Sequence, residues 1–211
     1  LKTQAGQEKY RRFLGEVTEL IIRFGGSASG EHGYGQSRAE LLPTLFGKDV
    51  YRAFQQFHAI WDPANKFNPG KVVNPNPILS NLRLGTQYHP HYDGQTHFHY
   101  LDDKGSFARA TTRCVSVGKC RRLAGGTMCP SYKATRQEKH STRGRAHLLF
   151  EMLNNSNLDG WRSTAVKEAL DLCLACKGCK SDCPVNVDVA TYKAEFLAHY
   201  YHRRLRPVTA Y

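Results

Sequence analysis

Cysteine is the residue type that carries the clearest chemistry in this sequence. Cys173, Cys176, Cys179 and Cys183 follow the spacing CxxCxxCxxxC, with Pro184 next. Two intervening residues make a turn that points successive sulfurs inward, so the first three thiolates curl round one corner of an iron–sulfur cubane. The fourth, set off by three residues and a proline, points away and serves a second cluster. Upstream, Cys114 and Cys120 keep the same register with Val117 in the middle position, and Cys129-Pro130 supplies the matching remote ligand. Crossing the ligands gives one site of Cys173, Cys176, Cys179 and Cys129, and another of Cys114, Cys120 and Cys183. All seven cysteines are then used. The first site is expected to hold a 4Fe-4S cluster. The second holds either a 3Fe-4S cluster, its missing iron opposite Val117, or a 4Fe-4S cluster completed by a non-cysteine ligand. Valine offers no lone pair, which favours the three-iron form. Four thiolates also suit a tetrahedral zinc ion, and buried structural cysteines are the blander reading.

A second constellation lies in the glycine-rich run Gly26 to Gly35, where Glu31-His32 sits between Gly30 and Gly33. This is no phosphate loop, because no strand precedes it and the lysine is absent. A carboxylate beside an imidazole can bind a divalent ion or move a proton, and flanking glycines let a planar ligand approach the backbone. On its own the pair reads as a surface loop. Four histidines, His89, His91, His97 and His99, crowd a later stretch. His97 and His99 would share one face of a strand, although a solvated loop is the favoured reading.

The 211 residues carry 30 Lys and Arg against 18 Asp and Glu, a net charge of +12. Between Lys104 and Arg145 there are eleven basic residues and one acidic one, Glu138, in the segment that holds three of the cysteines. Positive charge around an anionic cluster offsets the cost of burying it, so the surplus is assigned to the clusters rather than to nucleic acid. The 40% hydrophobic content excludes a disordered chain, and no apolar run approaches the roughly 18 residues of a transmembrane span. An odd number of cysteines in closely spaced groups points to a reducing compartment. A cytoplasmic protein is expected, alone or peripheral to the inner membrane. The chain starts at Leu1 with no leader, and reads as a piece of something longer.

The elements that must position these residues are mainly helical. Tyr10, Phe13, Leu14, Val17, Leu20, Ile21 and Phe24 follow a helical period until Gly25-Gly26, and Val50, Phe54, Phe57 and Trp61 share a second helical face ended by Asp62-Pro63. Asn74 to His99, with prolines at 75, 77 and 90, is an extended linker. His97 to Tyr100 and Ser106 to Thr111 flank Asp102-Asp103-Lys104-Gly105, which predicts a small β-hairpin. Ala146, Leu149, Phe150 and Leu153 make one apolar helix face, Val166 and Leu170 another, and Asp188 is placed to cap a helix bearing Val189, Tyr192, Phe196 and Tyr200. The expected organisation is residues 1–74, 75–104 as linker and hairpin, and 105–211 as the two-cluster module.

The paired cysteine motifs resemble the α-helical ferredoxin module of succinate dehydrogenase and glycerol-3-phosphate dehydrogenase-type iron–sulfur subunits. The strings KCRRLAGGTMCPSY, HSTRGRAHLL and VDVATYKAEFLAHYY resemble the iron–sulfur part of flavin-fused D-2-hydroxyacid dehydrogenases, which places His140, Arg143 and Arg145 near the clusters. GGSASGEHGYG followed by WDPANKFNPGKVV is similar to the end of the substrate-side domain of vanillyl-alcohol-oxidase-type flavoproteins, the family of D-lactate and D-2-hydroxyglutarate dehydrogenases. That resemblance implies FAD as a cofactor in the parent protein. It puts Glu31 and His32 at the reacting carbon, the Gly30 and Gly33 backbone against the cofactor, and Asn68 on the flavin. In members that use a divalent metal, the glutamate and histidine join two upstream histidines, which lie outside this chain, to hold it against the substrate's carboxylate and hydroxyl. It further implies partners outside this chain: an FAD-binding domain, a C-terminal cysteine-rich region, a D-2-hydroxyacid, and a quinone or other electron acceptor. A stand-alone electron-transfer subunit is the alternative, and the GEHG loop and FNPGK string argue against it because such a subunit has no use for them.

Overall fold

Thr3 starts the first helix by accepting the Gly6 amide with its hydroxyl, and α1 runs Gln4–Arg23 until Gly25 turns the chain with a positive φ of 62°. The structure is a computed structural model that describes residues 1–90, 94–154 and 158–208. The chain divides into two compact units, Leu1–Tyr88 and His89–Tyr211. Every regular element among the described residues is helical.

In the first unit a short α2, Gly35–Arg38, leads through a tight turn into α3, Leu42–Trp61. Gly47, at φ 80°, kinks α3 in a conformation other residues adopt only under strain. Glu40 ties the unit together: one oxygen pairs with Arg11 on α1 and the other accepts the Ile78 amide at 2.8 Å. After α3 the buried Asp62 carboxylate accepts the amides of Lys66 (2.9 Å) and Phe67 (2.7 Å), and His58 stands one turn back at 3.6 Å. These contacts shape the loop that carries Asn68. The fully buried apolar set of this unit is small, Ala39, Leu42 and Ile78, while Phe13, Leu20, Phe57, Ile60, Trp61 and Phe67 lie exposed.

The second unit has the larger core. Its helices are α4 (Phe107–Thr111), α5 (Pro130–Thr135), α6 (Thr142–Asn154), α7 (Thr164–Asp171), α8 (Gly178–Asp182) and α9 (Val189–Tyr200). Leu149, Leu153, Val166, Leu170 and Phe196 are essentially inaccessible at its centre, so the apolar faces expected for α6, α7 and α9 are the faces that pack. Asp188 caps α9 by accepting the Thr191 amide at 3.1 Å. Tyr192 crosses the core to donate its hydroxyl to the Ala110 carbonyl at 2.7 Å.

The expected β-hairpin does not form. Ser106 caps α4, accepting the Arg109 amide at 3.2 Å, and the alanines that follow favour helix. Residues 101–103 make a 3-10 turn closed by a bond from the Gly105 amide to the Tyr100 carbonyl. The amides of His97 and Phe98, which a strand would give to a neighbour, go to the Glu195 carboxylate instead. His97 and His99 therefore do not share a strand face, and His91 lies outside the described residues. Among those residues no helix is long and apolar enough to cross a membrane.

Candidate metal centres

Residues 173–179 turn twice, with Ala175 and Lys177 in left-handed conformations at φ 51° and 58°. Residues 114–120 repeat that backbone at the same offsets, Ser116 at 63° and Gly118 at 81°. The two loops share one geometry although Val117 stands where Cys176 does. Both middle residues are exposed, while Cys120 and Cys179, the last of each turn, are buried.

A small cavity is lined by Cys129 together with Cys173, Cys176 and Cys179, with Thr142, Arg145 and the start of α9 completing its wall. The remote cysteine of the first motif thus joins the three of the second. The N-terminus of α6 faces these sulfurs: the Thr142 amide donates to Cys129 Sγ at 2.9 Å, its hydroxyl lies 2.8 Å from the same sulfur, and the Arg143 amide reaches Cys120 Sγ at 3.4 Å. The first amides of α9, from Val189 and Ala190, point at Cys179. Unpaired amides at helix starts favour negative charge, so the two helices stabilise thiolates and the anionic cluster they would hold.

In the metal-free chain, burial pushes the Cys120 and Cys129 thiols up and Cys179 up to about 11, against the lowering effect of those amides. All seven cysteines are free, and no three of their sulfurs lie within 4.8 Å of one another. A tetrahedral zinc ion with bonds of ~2.3 Å would need them about 3.8 Å apart. The spacing is wider than one ion requires.

Arg145 is 3% exposed, its guanidinium held by the Ala169 carbonyl (2.7 Å) and Ser131 Oγ (2.9 Å) beside the cavity. Burial lowers its pKa, and the charges of Cys173, Cys129 and Cys179 draw it back up. It is a cation placed against the thiolates. Lys193 donates to the Cys173 carbonyl at 2.7 Å, and with Lys167 and Arg206 lines a separate basic cleft beside Cys173. His140 is buried with Nδ1 2.8 Å from the Thr135 hydroxyl, and burial lowers its pKa.

Cys183 follows Asp182, whose carboxylate accepts the amides of Thr127 (2.9 Å) and Met128 (3.2 Å) and the Arg122 guanidinium at 3.1 Å. Those bonds to the first motif hold the Asp182 carboxyl below its usual range, the Thr127 amide contributing most. Gly178 allows the close approach, since a Cβ there would meet Thr127 Oγ1 at 2.8 Å. Thr142, Asp182 and Lys193 were not evident from the sequence. A Ser-Thr pair opening a helix was the readable hint for the first; nothing in a lone acid before a cysteine announces the second.

In the first unit, Glu31, His32, Gly30 and Gly33 lie exposed in the loop between α1 and α2. Asn68, at φ 55°, lies in an apolar groove formed by Phe54, Phe57, Trp61 and Phe67.

Two domain families match this layout. Residues 1–72 match the C-terminal domain of FAD linked oxidases, and residues 110–187 match the 4Fe-4S dicluster domain. The chain therefore joins the end of a flavin-linked oxidase domain to a two-cluster ferredoxin-like module. It is 31% identical to a D-2-hydroxyglutarate dehydrogenase of Pantoea ananatis and 32% identical to one of Pseudomonas putida, each match covering 92% of this chain and 22% of the relative. A D-lactate dehydrogenase of Archaeoglobus fulgidus is 36% identical over 32% of this chain and 15% of its own. The chain spans about a fifth of the length of the D-2-hydroxyglutarate dehydrogenases it matches. No solved structure matches it.

Proposed function

We propose that this chain supplies the substrate-side end and the electron-transfer module of a cytoplasmic flavin- and iron–sulfur-dependent dehydrogenase. Its substrate is a D-2-hydroxyacid, with D-2-hydroxyglutarate favoured over D-lactate. The observation that carries the reading is the cavity that gathers Cys129 with Cys173, Cys176 and Cys179 against two helix starts, downstream of a flavin-oxidase domain. The substrate preference rests on relatives that match most of the chain under the D-2-hydroxyglutarate name, whereas the D-lactate enzyme matches a third of it.

When bound, FAD would supply the acceptor for the hydride that leaves the substrate's α-carbon, and the clusters would supply one-electron carriage onward. The chain's own residues do the rest. His32 takes the hydroxyl proton, Glu31 orients it or joins it in holding a divalent ion, and the glycines on either side give room for a planar ring. Asn68 offers its amide to the flavin edge from the aromatic groove. Cys129, Cys173, Cys176 and Cys179 hold a 4Fe-4S cluster; Cys114, Cys120 and Cys183 hold the second, in its three-iron form. Arg145 and the amides of α6 and α9 balance the charge. The acceptor, a quinone or another carrier, approaches through the basic cleft beside Cys173.

Stopped-flow reduction of the flavin in the full-length parent tests this. His32→Ala should slow reduction by D-2-hydroxyglutarate about 100-fold or more, the loss expected on removing a positioned base, with cluster content unchanged. Reduction at the native rate would overturn the assignment. This chain alone, given FAD, should not turn over the hydroxyacid, because the groups that grip the rest of the cofactor lie elsewhere in the parent.

A further inference from the structure

The Glu195 carboxylate, on α9, has no exposed surface. Its oxygens accept the His97 amide at 2.9 and 3.1 Å, the Phe98 amide at 3.0 Å and the Tyr100 hydroxyl at 3.3 Å. One turn further along α9, His199 Nε2 lies 2.9 Å from Oε1, and among the described residues this is the one ion pair of Glu195. A buried carboxylate needs a cation or a metal near it.

Two imidazoles converge on this one. The His97 and His199 rings are 5.0 Å apart, and each of the three residues brings a donor atom within 4.8 Å of the others. Two imidazole nitrogens and a buried carboxylate oxygen gathered that closely can share one dication. We propose that His97, Glu195 and His199 bind a divalent transition ion of the zinc class, at a site separate from the cysteine clusters.

The donor set is two imidazole nitrogens and one carboxylate oxygen, which suits zinc and leaves a fourth position for water. The residues are spaced for it. Glu195 and His199 sit four apart on one helix face, the arrangement by which a helix offers two ligands to one ion. Outer contacts orient them: Trp161 stacks on the His199 ring at 4.1 Å, and fixed backbone amides hold the carboxylate. His97 is exposed, so its ring is free to close the donor separations to the ~3.4 Å of a tetrahedral ion. Bound there, the metal would pin residues 97–100 to α9, the helix whose first amides face Cys179.

The test is zinc binding to the full-length parent with its iron–sulfur clusters already in place. Beyond the iron and any divalent ion held at Glu31 and His32, one equivalent of zinc should bind, and zinc-edge X-ray absorption should show nitrogen and oxygen neighbours with imidazole scattering and no sulfur. His97→Ala removes a ligand ring but keeps the backbone amide that anchors Glu195. It should weaken zinc at least 10- to 100-fold, as even outer-contact losses do, while cluster absorption stays native. Zinc bound through sulfur, no zinc bound, or unchanged affinity in His97→Ala would each overturn the proposal.

Discussion

Arg145 and Val117 make opposite contributions to the two cluster sites. The Arg145 guanidinium is buried beside Cys129, Cys173 and Cys179, where its charge favours the more negative, reduced cluster. Arg145→Gln should therefore lower that cluster's reduction potential, by on the order of 100 mV for a unit charge roughly 6 Å away at an effective dielectric near 20. Redox titration followed by electron paramagnetic resonance reads the shift, and an unchanged potential would remove Arg145 from the cluster's field. In the proposed three-iron centre, Val117 acts by lacking a ligand atom. Val117→Cys should supply one at a loop whose backbone already matches that of Cys176, converting a three-iron centre to 4Fe-4S and abolishing the paramagnetic signal of the oxidised protein. Persistence of that signal would show that the fourth corner is not at residue 117. The cysteine pattern was legible at this scale because its spacing is local. The burial of Arg145 was not, because it depends on α6, α7 and the cysteine loops meeting around it.

Helices legible in the sequence were those whose apolar period matched their packing, such as α6 with Leu149 and Leu153 and α9 with Tyr192 and Phe196. The predicted hairpin failed for a reason that periodicity cannot register. Glu195, nearly a hundred residues away, takes the amides of His97 and Phe98, and Ser106 caps a helix where a strand was expected. Element starts also depend on single residues. Gly144, in the first turn of α6, lies so close to the preceding turn that a Cβ would meet the Glu138 carbonyl oxygen at 2.0 Å. Gly144→Ala should displace the α6 amides from Cys129 and Cys120 and cost about 1 to 3 kcal/mol, seen as a lower unfolding midpoint and reduced iron content. In the first unit, Asp62 holds the loop that carries Asn68. Its carboxyl lies below the usual range chiefly because the Lys66 and Phe67 amides favour the charged form. Its stabilising effect is thus present above the unfolded carboxyl value of about 3.9 and is lost as pH falls below it. Asp62→Asn should flatten the acid limb of loop protection measured by hydrogen exchange at Lys66 and Phe67.

Taken over the whole molecule, the two units differ in how much apolar surface they cover for themselves. The second unit encloses Leu149, Leu170 and Phe196, whereas the first leaves Ile60 exposed and, beside Asn68, also Phe57, Trp61 and Phe67. Such a face on a flavin-oxidase segment is consistent with the short span of the relatives that this chain matches. Metal and protons compete at the cysteines of the second unit. With Cys179 raised to about 11 in the metal-free chain, the folded thiol stays protonated where an unfolded one, near 9, has ionised. Stability of the metal-free chain should fall as pH climbs from about 9 toward 11, while cluster assembly, which must expel those protons, should strengthen as pH rises from 7. Denaturant midpoints and iron uptake at two pH values check the two signs.

Electron paramagnetic resonance of Cys129→Ser and Cys183→Ser, oxidised and reduced, tests the exchange of ligands between the motifs most directly. Crossed ligation requires that Cys129→Ser disturb the cluster on Cys173, Cys176 and Cys179 and spare the signal of the Cys114 and Cys120 centre, with Cys183→Ser doing the reverse. If Cys129→Ser instead removes the Cys114 and Cys120 signal and leaves the other intact, each motif binds its own cluster and the crossed arrangement is wrong.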